Sequence, residues 1–74
     1  MRKITVISDN LAMIRIEKGY TLRRLSEKST VDYTTINKLE NHKQKATTPE
    51  TAKKICDALG VGFNDIFAVK NFDH

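Results

Sequence analysis

Residues that start and stop helices follow one another at close spacing along this chain. Ser, Thr, Asp and Asn favour the residue before a helix, proline favours its first turn, and Gly or Asn favours its end. Start signals lie at 8–10, 21, 32 and 48–49, and end signals at 19, 41 and 60. Only short helices fit between them, so the chain is predicted to be an all-α bundle of about five short helices.

Apolar residues recur at helical spacing within each of these segments, which gives every predicted helix one inward face. The fourth helix is predicted over "ETAKKICDAL", from Thr48–Pro49 to Gly60, and a short fifth helix over "FNDIF". The predicted core consists of Leu11, Ile14, Leu22, Leu25, Val31, Ile36, Leu39, Ala52, Ile55, Cys56, Leu59, Val61, Ile66 and Phe67. This set is large enough for one small core.

The 74 residues are predicted to form a single domain with a core at 8–67, an N-terminal extension at 1–7 and a tail at 68–74. "KITVI" in the extension alternates β-forming residues and is a candidate short strand. A lone strand is unstable in water, so it needs a partner, for example from a second copy of the chain. We expect this segment to be flexible or weakly packed.

Positive charge is concentrated in the first part of the chain, although the whole chain carries only +4. Residues 1–45 contain ten Lys and Arg against five Asp and Glu, a net +5, whereas residues 46–74 contain three against four, a net −1. A basic patch suits a phosphate-binding surface. The alternative is an ordinary solvated surface, and charge alone does not decide between them.

The sequence shows none of the common motifs of catalysis, metal binding or membrane insertion. It lacks a nucleophilic serine motif, a phosphate-binding glycine loop and a cluster of His and Cys at ligand spacing, so we expect no enzyme activity, metal or cofactor. No apolar run approaches the about 20 residues of a membrane span, and the N-terminus does not resemble a signal peptide. A cytoplasmic location is therefore expected. Cys56 shares helical spacing with core positions and is interpreted as a core residue.

The second and third predicted helices, separated by "STVD", form a helix-turn-helix candidate. From residue 7 to residue 67 the chain resembles the Cro/CI-type (XRE-type) helix-turn-helix family of phage and bacterial repressors. The resemblance rests on "LAMIRIEKGYTLRRLSEKSTVDYTTINKLEN", "TPETAKKICDALGV" and "FNDIF", in this order and at these spacings. It implies a bundle of five short helices whose third helix, about residues 32–41, lies in the DNA major groove.

The resemblance also implies which residues meet the DNA. Base contacts are implied for Tyr33, Thr34 and Lys38, with Asn37 as a weaker candidate. Phosphate contacts are implied for Thr21, Leu22, Thr35, Asn41, Lys43 and Lys45. Threonine can pack its methyl on thymine, and lysine can donate to guanine O6 and N7. The alternatives are a solvated Lys38, a Tyr33 ring that covers the core, and a plain polar loop around Lys43 and Lys45.

A partly buried ion pair between Arg15 and Glu40 is a further implication of the resemblance. Four features depart from the family pattern. Thr30 stands where the turn usually has glycine, so we expect a differently shaped turn, and His42 replaces the glycine that often follows the third helix. Leu22 replaces a polar residue that often contacts phosphate. Met13 and Ile16 are apolar on a face that is usually polar, where they either cover the first strand or form an interface.

The resemblance implies a sequence-specific regulator of double-stranded DNA, a repressor that binds a near-palindromic operator as a homodimer. The expected dimer surface is helix five with the tail "AVKNFDH", including Phe72, or the N-terminal strand; the alternative for the tail is a frayed terminus. The alternative function is a protein-binding module, such as the antitoxin of a toxin–antitoxin pair. Such a role requires a protein partner and an apolar surface. Only Met13, Ile16 and Phe72 indicate such a surface.

Overall fold

Five short helices and a two-stranded sheet make up residues 2–71, which are the residues described by the computed structural model. The elements are, in chain order, β1 (Arg2–Val6), α1 (Asn10–Glu17), α2 (Leu22–Ser29), α3 (Tyr33–Glu40), α4 (Pro49–Leu59), α5 (Phe63–Ile66) and β2 (Phe67–Asn71). The five predicted helices are all present. Helix α2 packs against both α3 and α4, and α1 packs against α3 and α5.

Several helix ends follow the start and stop signals closely. Thr21 accepts a hydrogen bond from the Arg24 N–H at 3.0 Å, and Thr48 accepts one from the Thr51 N–H at 3.2 Å, so both threonines cap their helices. Gly60 ends α4 in the left-handed conformation, with φ 70°. The prediction that Asp32 caps α3 is wrong for its side chain, which makes no capping hydrogen bond and lies exposed.

The core lies where the helical faces meet and contains most of the predicted apolar set. Leu11, Leu25, Ile36, Leu39, Ile55, Ile66 and Phe67 are fully buried, and Val31, Ala52, Cys56 and Leu59 are nearly so. Ile14, Leu22 and Val61 are half-buried at its edge. The sequence did not identify Ile4, Val6, Tyr20 or Phe63, which also pack on the core. The pKa of the Cys56 thiol is raised, mainly by its burial and further by the Asp57 and Asp65 carboxylates.

The two ends of the described chain pair with each other. β1 and β2 are antiparallel, with Ile4 opposite Val69 and Val6 opposite Phe67. The expectation of a flexible N-terminal segment is therefore wrong, and its partner strand comes from the same chain. The reason is the anchoring of Phe67: its ring is buried directly after α5, and the Ile7 N–H donates to the Ile66 carbonyl at 2.8 Å.

The tail is likewise ordered as far as residue 71, so the alternative of a fraying terminus is wrong for residues 68–71. Phe72, a candidate residue of the dimer surface, lies outside the described residues. Within the described chain, no helix is long and apolar enough to cross a membrane.

Candidate nucleic-acid interface

Helix α3 has two chemically distinct faces. Ile36 and Leu39 are fully buried and fix the helix to the core. Tyr33, Thr34 and Lys38 are exposed, and Tyr33 is not among the residues that pack on the core. The three implied base-reading residues therefore share the solvent side of one helix, whereas Thr35 and Asn37 are half-buried at its margin.

The turn between α2 and α3 is built around a left-handed residue, although that residue is a threonine. Thr30 has φ 60° and ψ 20°, so the expectation that the turn would change shape because it lacks glycine is wrong. The Thr30 hydroxyl donates to the Ser29 carbonyl at 2.5 Å. Ser29 is buried and accepts from the Val31 N–H at 3.2 Å, and the Ser26 hydroxyl donates to the Val31 carbonyl at 2.7 Å. This serine network was not predicted from the sequence.

Arg15 and Glu40 form the implied ion pair and tie α3 to α1. Arg15 Nε lies 2.5 Å and Nη2 3.0 Å from the two carboxylate oxygens of Glu40, which is a bidentate arrangement. Arg15 Nη1 also donates to the Tyr20 carbonyl at 2.7 Å. The side chains are only 13% and 8% exposed. The pair therefore sets the position of α3 relative to α1 and the α1–α2 connection.

The N-terminus of α2 presents a second set of polar groups to solvent. The Thr21 oxygen accepts from Arg24, but its own hydroxyl hydrogen remains a donor. Leu22 is half-buried against the core, so its side chain serves packing, while its backbone N–H belongs to the unpaired first turn of the helix. Arg23 and Arg24, which the sequence reasoning did not assign to the interface, are exposed in the same turn.

Asn37 and Asn41 are hydrogen-bonded to each other at the C-terminal end of α3. Asn41 Nδ2 donates to the backbone carbonyl of Asn37 at 2.9 Å and to its side-chain oxygen at 2.7 Å. Both amide hydrogens of Asn41 are thus engaged, and a phosphate contact from its side chain requires at least one of these bonds to open. The Asn37 Nδ2 group remains available as a donor.

The loop after α3 carries the remaining basic candidates. Lys43 and Lys45 are exposed, and the backbone N–H groups of Lys43 and Gln44 donate to the Lys38 carbonyl at 2.9 and 3.3 Å. His42 takes the place of the family's glycine with φ 58°, and its Nε2 lies 3.4 Å from an Asp9 carboxylate oxygen. The loop thus continues directly from the helix and keeps its lysines beside it.

An open cavity of about 410 Å³ separates this loop from the sheet and is lined by Thr5, Val6, His42, Gln44, Lys45 and Lys70. Lys70, in the tail, thereby joins the basic loop, which the sequence did not indicate. Met13 and Ile16 are exposed, and their role in an interface stays a prediction. Among residues 2–71 there is no group of three or more His, Cys, Asp or Glu that could hold a metal ion.

The helix-turn-helix family model matches residues 11–66. The fold is similar to the crystal structure of SinR, the master regulator for biofilm formation, in complex with DNA (27% identity, TM-score 0.76, 80% of this chain and 97% of that one). It is also similar to ClgR, the clp gene regulator from C. glutamicum (33% identity, TM-score 0.69, 78% of this chain and 74% of that one). The transcriptional regulator VanUg shares the fold (24% identity, TM-score 0.69, 92% and 88% coverage). No curated protein sequence matches the chain.

Proposed function

Because the chain belongs to the Cro/CI-type (XRE-type) helix-turn-helix family of DNA-binding transcriptional regulators, we propose that it recognises a specific double-stranded DNA sequence through α3. The observation that carries the proposal is the separation of the two faces of α3. Ile36 and Leu39 are buried, and the exposed side presents hydroxyl, phenol and ammonium groups. These groups match the donors and acceptors of base edges in the major groove.

In this proposal Tyr33, Thr34 and Lys38 read bases, and Asn37 contributes through its free amide hydrogens. Lysine donating to guanine O6 and N7 is a common specific contact, and threonine can contact adenine or thymine. The half-buried side chain of Thr35 contacts the adjacent phosphate. The ion pair of Arg15 and Glu40 does not touch DNA but holds the recognition helix in place.

Phosphate contacts on either side of α3 fix the register. The N-terminus of α2 supplies the Thr21 hydroxyl and the Leu22 N–H, which are suited to an anion because the first-turn amides and the helix dipole both favour negative charge. On the other side, Lys43 and Lys45 neutralise the backbone, together with Asn41 once its side chain turns outward. These contacts set affinity and orientation but carry little sequence information.

We further propose that the protein acts as a homodimer on a near-palindromic operator and represses by occupying a promoter. The dimer places two α3 helices in major grooves about one helical turn, roughly 34 Å, apart. Membership of this family supports the proposal, since a regulator bound across a promoter blocks transcription by occupancy.

Selection of bound sequences from a random duplex pool tests the proposal. The expected result is a near-palindromic motif whose affinity falls as salt rises from about 50 to 200 mM, because phosphate contacts release counterions. Lys38→Ala should relax the motif at one position per half-site and cost about 1–3 kcal/mol of binding free energy. Lys53→Ala, an exposed lysine on α4, is the matched control and should leave the motif unchanged. A motif that Lys38→Ala leaves unaltered at every position contradicts the assigned base reader.

A further inference from the structure

The outer edge of β2 is unpaired in the described chain. The sheet contains two strands, and the far side of β1 is covered in part by Thr47, whose N–H donates to the Ile4 carbonyl at 2.9 Å. No residue between 2 and 71 covers the far side of β2 in the same way. Unpaired strand edges are templates for pairing with another chain.

Three hydrogen bonds show which backbone groups face this edge. The Ile4 carbonyl points to Thr47, so Ile4 and its partner Val69 form a pair that does not exchange hydrogen bonds. Three residues after Ile4, the Ile7 N–H donates to the Ile66 carbonyl, so Ile7 and Ile66 do share a hydrogen bond. Hydrogen-bonded and non-hydrogen-bonded pairs alternate in this way along an antiparallel ladder. The Phe67 N–H, which also faces outward, donates to the Phe63 carbonyl of α5.

It follows that the N–H and carbonyl of Val69 and of Asn71 point away from β1, as does the Phe67 carbonyl. Within residues 2–71 no hydrogen bond engages the two Val69 groups. The Val69 side chain is also 58% exposed, although it lies on the same face of the sheet as the buried Phe67. An exposed β-branched residue with two open backbone groups is suited to a further strand.

We propose that the edge of β2 is the homodimer interface, in which β2 of one protomer pairs antiparallel with β2 of its partner about a two-fold axis at Val69. The two sheets then join into one continuous sheet of four strands. The proposal rests on the homodimer of the proposed function and specifies the surface that forms it.

The edge is self-complementary in this register. The two Val69 residues exchange both of their hydrogen bonds, and at each end the Asn71 N–H reaches the outward Phe67 carbonyl of the other protomer. The Phe67 N–H, already bonded to Phe63, is not needed. Lys70 lies opposite Ala68 rather than opposite a second lysine, so the pairing brings no like charges face to face.

The self-complementary register indicates a second copy of the chain as the occupant of this edge, since an identical strand satisfies both open Val69 groups without bringing like charges together. Pairing over residues 67–71 buries less area than a standard stable interface, which suits a weak dimer in solution. Two adjacent half-sites on DNA raise the effective concentration of the second protomer and strengthen the same contact.

The experiment compares Val69→Pro and Val69→Lys with wild type by sedimentation equilibrium of the whole chain without DNA. Val69→Pro removes a donor that β1 does not use, so the monomer should fold as before by circular dichroism. The dissociation constant of the dimer should rise about tenfold or more. Val69→Lys places two ammonium groups opposite each other and should weaken the dimer most at low salt. Ile16→Lys, at a site 63% exposed on α1, is the matched comparison because Ile16 belongs to the other apolar surface considered for an interface. If β2 forms the dimer, this variant should dimerise as wild type does.

A cross-link gives a positive readout that does not depend on loss of a contact. The paired Val69 Cα atoms should lie about 5.5 Å apart, within the range of a disulfide. Val69→Cys with oxidised glutathione should therefore form covalent dimers at concentrations where Ile16→Cys does not. The native Cys56 is buried and present in both variants.

The proposal is overturned if wild type stays monomeric both in solution and on a duplex with two half-sites. It is also overturned if Val69→Pro and Val69→Lys are folded and dimerise as wild type does. Binding to a duplex with a single half-site distinguishes loss of the dimer interface from loss of DNA recognition, because one protomer is enough to occupy it. The Val69 variants should bind it with unchanged affinity. If wild type itself binds no selected duplex, the proposed function fails, while sedimentation still decides the interface.

Discussion

The two helices of the helix-turn-helix are alike in length but are held in different ways. Helix α2 is fixed at its ends: Thr21 caps its first turn, and Ser26 and Ser29 bind the turn that follows it. Helix α3, like α2, has one buried face, but it has no side-chain cap at its N-terminus and is tied to α1 by Glu40 instead. The difference leaves the outer face of α3 free of structural duties. Because α3 is held from its buried side, its exposed residues can vary without moving the helix, and under the proposed function such changes would alter the DNA sequence that it recognises.

The largest test of this comparison removes the buried anchor of α3. Ile36→Ala should lower the free energy of unfolding by about 2–5 kcal/mol, because it leaves a cavity at a fully buried site. Thr34→Ala, on the exposed face of the same helix, is the control and should change it by less than about 0.5 kcal/mol. Urea denaturation measures both. Equal costs for the two variants would show that α3 is not anchored by one face.

The next test removes the ion pair that ties α3 to α1. Arg15→Ala should cost about 2–3 kcal/mol, because it leaves the Glu40 carboxylate nearly buried without its partner. Arg24→Ala breaks the pair with Glu27, whose side chains are exposed and 3.9 Å apart, and should cost less than about 0.5 kcal/mol. Thermal unfolding compares the two. A melting temperature for Arg15→Ala equal to that of wild type would mean that the pair contributes nothing to holding α3.

A smaller effect is expected from the helix starts themselves. Thr21→Ala should destabilise the protein by about 1 kcal/mol, since the Arg24 N–H loses its acceptor. Asp32→Ala occupies the matching position on α3 and should have little effect on stability, because its carboxylate caps nothing. Chemical denaturation of both variants tests whether only α2 depends on its cap. If Asp32→Ala lost more stability than Thr21→Ala, α3 rather than α2 would depend on its N-terminal cap.

The helices were predictable from sequence because their signals are local. Thr21, Thr48 and Gly60 act through hydrogen bonds and dihedral angles within a few residues, and the buried positions follow from helical spacing. The pairing of β1 with β2 was not predictable, since it joins residues more than sixty positions apart and depends on where α5 leaves Phe67. The exposed face of α3 lies between these cases. The helical spacing of its residues could be read from the sequence, but the proposed roles of Tyr33, Thr34 and Lys38 came from the family resemblance.

The turn at Thr30 shows that the left-handed residue between α2 and α3 need not be glycine. Thr30 and Gly60 end α2 and α4 with nearly the same left-handed backbone, at φ 60° and φ 70°. A β-branched residue is strained there by about 1–2 kcal/mol, and glycine is not. The Thr30 hydroxyl offsets part of this cost through its bond to the Ser29 carbonyl.

Thr30→Gly removes the backbone strain, which stabilises the protein, but it also removes the hydroxyl contact and makes the unfolded chain more flexible. A net gain in the free energy of unfolding of only about 0.5 kcal/mol is therefore expected. Thr30→Val keeps the strain and loses the hydroxyl, and it should destabilise the protein. Gly60→Ala gives the reverse exchange and should cost about 1 kcal/mol from the backbone alone, because an added Cβ meets no atom within 4 Å. Urea midpoints rank the three variants. If Thr30→Gly were less stable than wild type, the serine and threonine hydroxyls, rather than the backbone angle, would determine the shape of the turn that presents α3.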